Sequence, residues 1–277
     1  MIKFYKIFII IFTIGIFSNI PLTAYSDEDL KYLKPKFKNT LSIGGGFIYK
    51  PTYYGSSSIR TVWFPSIYYK YENRENDIFK SFSIMGPFAS LELYNSKNFS
   101  FNILGEYDFG RQKGDDNSLT HTKDIDPHFN TGLEIGYKIP YDLALEVAYK
   151  TEATSFGDDM ILEYSLSHNK YFWVNFTQPV INKLSLTTSY ANKSWMNEWF
   201  STYASADYSQ YDAKGGFYST KLSNMSIIPA GESISLFLNI EYEKLQGNAA
   251  DSPLVKDQGS KTQYKFMFVV LFKIAEF

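Results

Sequence analysis

Tyr264-Lys265-Phe266-Met267-Phe268-Val269-Val270-Leu271-Phe272-Lys273-Ile274-Ala275-Glu276-Phe277 decides the fold. Taken two residues at a time, Tyr264, Phe266, Phe268, Val270, Phe272 and Ile274 make one unbroken apolar file. The other file carries Lys265 and Lys273 around Met267, Val269 and Leu271. A period of two marks a β-strand whose faces meet different surroundings. One face is aromatic enough to lie against lipid. The competing reading is a buried edge strand of a soluble sandwich.

The same alternation recurs upstream. Ile234, Leu236, Leu238, Ile240 and Tyr242 oppose Ser235, Asn239 and Glu241, with Phe237 out of pattern. Phe129, Leu133, Ile135, Tyr137 and Ile139 oppose Asn130, Gly132, Glu134, Gly136 and Lys138. Leu143, Leu145, Val147 and Tyr149 oppose Glu146 and Lys150. Phe101, Ile103, Tyr107 and Phe109 oppose Asn102, Glu106 and Asp108. The segments are of the length a tilted strand needs to cross a thin bilayer, roughly 9–11 residues, with residues 143–150 the shortest. A longer parity runs over residues 160–176, interrupted at His168 and Lys170. It is either one strand or two strands joined by a turn at residues 167–170. The pattern predicts about twelve strands and no helix.

The connections discriminate between membrane and sandwich. Short turns are expected at residues 73–76, 95–98, 140–142, 178–182 and 229–232. Long polar loops are expected at residues 51–60, 111–126, 154–159, 194–215 and 246–262. With both ends of the barrel in the periplasm and one tight outer turn at residues 85–87, every short turn falls inside and every long loop outside. That asymmetry is the pattern of outer-membrane barrels. A soluble sandwich has no reason to keep it. The expected fold is therefore all-β: a closed antiparallel transmembrane β-barrel of about twelve strands, with short periplasmic turns and long extracellular loops. In such barrels the last strand closes on the first and is read by the barrel insertion machinery.

Composition agrees. The 277 residues suit one large β domain, and 23 Tyr and 24 Phe suit aromatic girdles at two interfaces. A mean hydropathy of −0.24 is what alternating faces produce by cancellation. A net charge of −2 leaves no basic field for nucleic acid. With no cysteine, disulfides, thiol nucleophiles and thiolate metal sites are excluded.

Residues 1–26 read as a cleaved signal peptide, with Lys3 and Lys6 before an apolar stretch from Ile7 to Ile16 and small residues Ala24 and Ser26 before Asp27. The alternative is an uncleaved anchor, for which the apolar core is short. Residues 27–40, rich in lysine, read as a periplasmic lead-in, and residues 41–277 as the barrel.

Three motifs resemble the MipA/OmpV family, the MltA-interacting proteins of the outer membrane. The first is Gly44-Gly45-Gly46 followed by Tyr49-Lys50-Pro51-Thr52-Tyr53-Tyr54-Gly55-Ser56. The second is Tyr107-Asp108-Phe109-Gly110-Arg111, leading to an acidic loop that ends Asp124-Ile125-Asp126-Pro127. The third is the most specific: Gly247-Asn248-Ala249-Ala250-Asp251-Ser252-Pro253-Leu254-Val255-Lys256-Asp257, then Gly259-Ser260. The resemblance covers roughly residues 41–274. Where the family carries a Tyr-Phe-Gly element after its mid-chain strand, this chain reads Glu198-Trp199-Phe200-Ser201. The family's closing aromatic falls at Ile274 here, which leaves Phe277 and Ile274 as rival insertion signals. The resemblance implies a non-enzymatic scaffold that joins a lytic transglycosylase to a peptidoglycan synthase. Surface adhesion through the long loops is a second implied role.

The chemistry of the residues is sparse. His121, His128 and His168 are the histidines, and only Asp124, Asp126 and His128, with Ser118 nearby, cluster in sequence. Asp126-Pro127 is more simply a loop end. Asp115 and Asp116 either bridge cations between lipopolysaccharide phosphates or are only solvated. No catalytic, metal or cofactor site is expected. Glu106, Glu134, Lys138, Glu146, Lys150, Glu163, Glu241 and Glu243 are expected on the lumen face. They form either a lattice of paired charges or the lining of a passive cation-preferring channel. Trp63, Tyr68, Tyr69, Tyr71 and Trp173 read as interface anchors rather than sugar-stacking platforms.

Overall fold

The structure is a computed structural model that describes residues 39–73, 79–173, 179–205 and 208–276. Twelve antiparallel strands close into a barrel in sequence order, with the first hydrogen-bonded to the last. They are β1 (Asn39–Pro51), β2 (Ile59–Glu72), β3 (Ser81–Met85), β4 (Phe88–Asn95), β5 (Phe99–Asp108) and β6 (His128–Ile139). The second half comprises β7 (Leu143–Glu152), β8 (Ile161–Phe172), β9 (Val180–Ala191), β10 (Gly216–Pro229), β11 (Ile234–Leu245) and β12 (Thr262–Glu276). Of the long parity over residues 160–176, residues 161–172 form one strand, β8, with no turn at 167–170, and residues 174–176 lie outside the described residues. The signal peptide and nearly all of the lead-in read from the sequence lie outside the described residues, as does Phe277. β1 begins at Asn39, so the last two residues of the expected lead-in belong to the barrel.

Sidedness follows the expected parity. One end carries the short connections, such as residues 96–98, 140–142 and 230–233. The other carries the connections 52–58, 109–127, 153–160, 192–215 and 246–261, with one tight turn at Gly86-Pro87. The outer wall is apolar: Ile43, Trp63, Ile67, Leu133, Ile135, Val147, Leu166, Leu186, Phe272 and Ile274 are all exposed on it. Among the described residues no helix is long and apolar enough to cross a membrane. The strands do the crossing, because a closed barrel satisfies every backbone group within itself.

Two expectations are corrected. The long connections contain helices: α1 (Lys193–Phe200), α2 (Gly247–Asp251) and α3 (Pro253–Lys256). The inner wall is also not uniformly polar. Phe237, Met267, Val269 and Leu271 are buried inside the barrel and pack with Ile48, Phe64, Tyr68, Met85, Met225 and Ile227. This explains why Phe237 broke the alternation. It also moves Tyr68 from the interface to the interior, whereas Trp63 is 74% exposed on the outer wall.

The triple glycine sits at the closing seam. A Cβ on Gly44 would lie 1.8 Å from the Val270 carbonyl oxygen, and one on Gly46 2.1 Å from that of Phe268. Gly45 points the other way, and its added Cβ would meet only the Phe64 carbonyl oxygen at 3.6 Å. β1 and β12 therefore approach too closely on the inner side for any side chain. Gly44→Val or Gly46→Val is expected to remove most of the folded, heat-modifiable species on a gel shift, whereas Gly45→Val keeps it.

Candidate functional site

Along the inner wall of the barrel, lysines and carboxylates face one another. Lys150 Nζ lies 2.9 Å from Glu163 and 3.5 Å from Glu106. Lys183 Nζ donates to both oxygens of Glu146, at 2.7 and 2.9 Å. Lys265 Nζ is 3.1 Å from Glu241, and Lys221 is 4.0 Å from Glu163. Glu134 accepts a hydrogen bond from Asn102 at 2.9 Å. Lys138 stands apart at a short-turn end, donating to Asn95 at 2.6 Å and to the Ser96 carbonyl at 3.1 Å. Glu243 is partly buried two residues beyond Glu241 on β11. The sequence reading missed the cations Lys183, Lys221 and Lys265 as partners. For Lys183 the signal was present: it shares a parity with Ser185, Thr187 and Ser189, whose small buried side chains leave room for it. Carboxylates of four strands tied to Lys150, Lys183, Lys221 and Lys265 make a cross-linked wall.

Above this wall the long connections form a cap. Asn192 starts α1: its side-chain oxygen accepts from the Trp195 N–H at 3.1 Å, and its amide donates to the Asp158 carbonyl at 2.6 Å. Trp195, Met196, Trp199 and Phe200 recur at helical spacing and are all buried. They pack with Ala249, Ala250 and Val255 of the last connection, Ile125 of the β5–β6 connection, and Tyr218 and Leu245 of the wall. Tyr54 from the first connection meets Trp199 edge-on at 5.3 Å. A second cluster joins Tyr53, Leu119, Tyr208 and Leu254. The β5–β6 and β11–β12 connections rise from opposite sides of the ring, so these contacts span the mouth. Each fully buried large side chain contributes roughly 1.5–3 kcal/mol.

The end of α1 is where the three motifs meet. A helix leaves its last carbonyls without intrahelical partners. Arg111, 1% exposed, donates to the Trp199 carbonyl at 2.6 Å, to Glu198 at 3.0 Å and to Lys123 at 3.1 Å. Its guanidinium also lies over the Trp199 ring at 5.9 Å. Ser252, fully buried, donates to the Phe200 carbonyl at 2.6 Å. Three successive carbonyls are thus satisfied from two other connections, and the cation sits at the negative end of the helix. Gly55 (φ +91°) has room for no side chain, since a Cβ would lie 2.4 Å from Val255 Cγ2. Of the motif loop, Ala249, Ser252, Pro253 and Val255 are buried in the cap, while Asp251, Lys256 and Asp257 are exposed. Asp251 lies 3.8 Å from Lys261.

The remaining polar candidates serve the same cap. Asp115 pairs with Arg60 at 3.0 Å. Asp116 caps a short turn by accepting from the Ser118 N–H and also holds Thr52 at 3.1 Å. Asp124 accepts from the Lys113 N–H at 2.6 Å, and Asp126 faces the Gln112 amide at 3.4 Å. The His128 ring is 2.9 Å from the Asp126 backbone oxygen, not from a carboxylate. His121 meets Tyr208 edge-on, and His168 lies on the outer wall. Among the described residues no group of three His, Cys, Asp or Glu could hold a metal ion.

A closed twelve-strand barrel with an apolar outer wall, charged inner wall and capped mouth defines a bacterial outer-membrane β-barrel protein. Residues 43–274 match the model of the family described as MltA-interacting protein MipA, and the chain belongs to that family. No curated protein sequence matches it. Several solved outer-membrane barrels are similar in shape. LpxR from Salmonella typhimurium aligns at 8% identity over 85% of this chain and 100% of its own, with a TM-score of 0.48. The NanC porin does so at 9% identity over 85% and 100%, with a TM-score of 0.39. OmpT of Vibrio cholerae does so at 9% over 87% and 99%, with a TM-score of 0.31.

Two outcomes are expected at the α1 terminus. Arg111→Lys keeps the charge but loses the fork that reaches three carbonyls, so the cap should weaken by about 1.5–3 kcal/mol. Limited proteolysis should then cut within residues 201–215 faster than in the unaltered protein, with the barrel's heat shift unchanged. Burial pushes the Glu198 carboxyl above the usual carboxylate range; Lys123 opposes the rise and Asp159 adds to it. The folded cap therefore favours the neutral form. The stability this group supplies is present below the ordinary Glu range and is lost as pH rises through its folded value. Glu198→Gln should make the cap's protease resistance less dependent on pH and higher near neutrality.

Proposed function

We propose that this outer-membrane barrel is a non-enzymatic scaffold that brings a lytic transglycosylase together with a peptidoglycan synthase during murein remodelling. The family match over residues 43–274, to proteins described as MltA-interacting, carries the reading. The disposition of side chains supports it. On the inner wall Lys150, Lys183 and Lys265 pair with Glu163, Glu146 and Glu241, and Asp124 of the acidic loop is held within the cap. What remains for a murein enzyme is the periplasmic side: the short turns and residues 27–38. One of those turns carries Tyr141 at its tip, 87% exposed and with φ +69°. A bulky residue held in that region of backbone space is an outlier suited to a presented contact. No cofactor or metal enters the proposal, and lipopolysaccharide and outer-membrane lipids are the surroundings of the barrel.

A passive cation-preferring channel is the weaker reading, because Glu146 and Glu241 face lysines at 2.7 and 3.1 Å instead of an open lumen. The deciding experiment is affinity capture from a membrane extract of the native organism, with the folded, detergent-solubilised barrel as bait and a heat-unfolded control. A lytic transglycosylase or peptidoglycan synthase enriched on the folded bait alone, and reduced by deletion of residues 27–38, is the expected outcome. Capture of neither enzyme would end the scaffold reading.

A further inference from the structure

The apolar outer wall carries a polar patch. On β8, β9 and β10 the lipid-facing files carry His168, Lys170, Asn182, Asn224 and Ser226. The register sets them in two adjacent rows: His168, Leu184, Asn224 and Ile240 are successive cross-strand partners, as are Lys170, Asn182, Ser226 and Leu238. Above them the same files carry Leu166, Leu186 and Leu222. Below them come Phe172 and Ile228. Leu166 and Leu186, exposed at 42% and 50%, mark this as the outward face, whereas Ser185 and Thr187 of the opposite parity are buried. The polar patch is therefore an island within the apolar belt, with apolar residues on both its outer and inner sides.

Acyl chains offer no hydrogen-bond partner, so polar groups there are costly unless another protein surface meets them. Part of the demand is met internally. The Asn182 amide N–H groups reach Asn224 Oδ1 at 2.6 Å, Ser226 Oγ at 2.9 Å and the Met225 carbonyl at 3.3 Å. This leaves the Asn182 oxygen as an acceptor beside the Asn224 amide N–H groups as donors. A donor and an acceptor side by side complement a second copy of the same pair. Two copies inserted in the same orientation are related by a twofold axis along the membrane normal, which makes such a contact isologous. Small residues also let two walls approach closely, as they do between membrane helices.

We infer that the β8–β10 wall is a self-association surface, through which two copies of this barrel pair in the membrane across Asn182 and Asn224. The inference is independent of the scaffold reading.

The chain has no cysteine, so a single introduced one reports cleanly. Asn224→Cys lies at the proposed axis. Ile84→Cys, on the lipid-facing side of β3 six strands round the ring from β9, is the control. After oxidation in native outer membranes, Asn224→Cys should give a covalent homodimer and Ile84→Cys none, with both variants showing the folded heat shift. The double variant Asn182→Leu/Asn224→Leu, made lipophilic at the same sites, should lower the dimer fraction in lipid nanodiscs by about tenfold. An Asn224→Cys yield no greater than the control would overturn the inference. So would a cross-link to a species of different mass, or a dimer fraction untouched by the leucines.

Discussion

A backbone N–H facing hydrocarbon has no water to bond with, so a sheet in a membrane must have no edge. In this protein that demand converges on the β1–β12 seam, where ten Cα pairs run from Thr40 opposite Glu276 to Tyr49 opposite Phe266. Without that contact both strands would expose a full ladder to lipid. The glycines of β1 let the seam close, and the register shift between Leu41 and Ser42 absorbs the misfit at its lower end. The apolar cluster of Phe237, Met267, Val269 and Leu271 lies just inside the same sector. The seam is therefore fastened by backbone bonds along its length and by packing behind it.

Closing the barrel creates the problem that the rest of the structure solves. Twelve strands enclose an interior that side chains must fill or leave to water. Charged pairs tie the middle of the wall, and the folded connections fill the outer mouth. The cap depends on a helix terminus: α1 ends in the centre of the mouth, where its carbonyls face no solvent. Arg111 and Ser252 supply the donors. They come from connections that follow β5 and β11, so satisfying one helix end binds opposite sides of the barrel together. Burial pulls the Arg111 guanidinium down to about 10, which still leaves it fully charged at neutral pH. A charged donor is the stronger partner for carbonyls shut away from water.

Family motifs often suggest a binding surface, and here they turn out to be structural. Tyr54 and Gly55, Gly110 and Arg111, and the segment from Ala249 to Val255 are distant in the chain and meet in one packed layer. Glu198-Trp199-Phe200-Ser201 is the segment they close upon.

Alternation by itself determined the barrel. A period of two, repeated with short and long connections in turn, has few other solutions, because each strand must send one face to lipid and the other inward. Parity likewise placed Glu146, Lys150, Glu163 and Glu241 on one face, since side-chain direction in a strand depends only on position modulo two. Which lysine meets which carboxylate was not legible, because register and shear, set by ring closure, decide which side chains meet one or two strands away. The helical spacing of Trp195, Met196, Trp199 and Phe200 was present in the sequence, but it fell in a stretch of polar loop composition. That these four side chains cover the mouth, with Arg111 and Ser252 sealing the helix beneath them, was decided by tertiary structure alone. Only closure brings connections separated by more than a hundred residues to the same point.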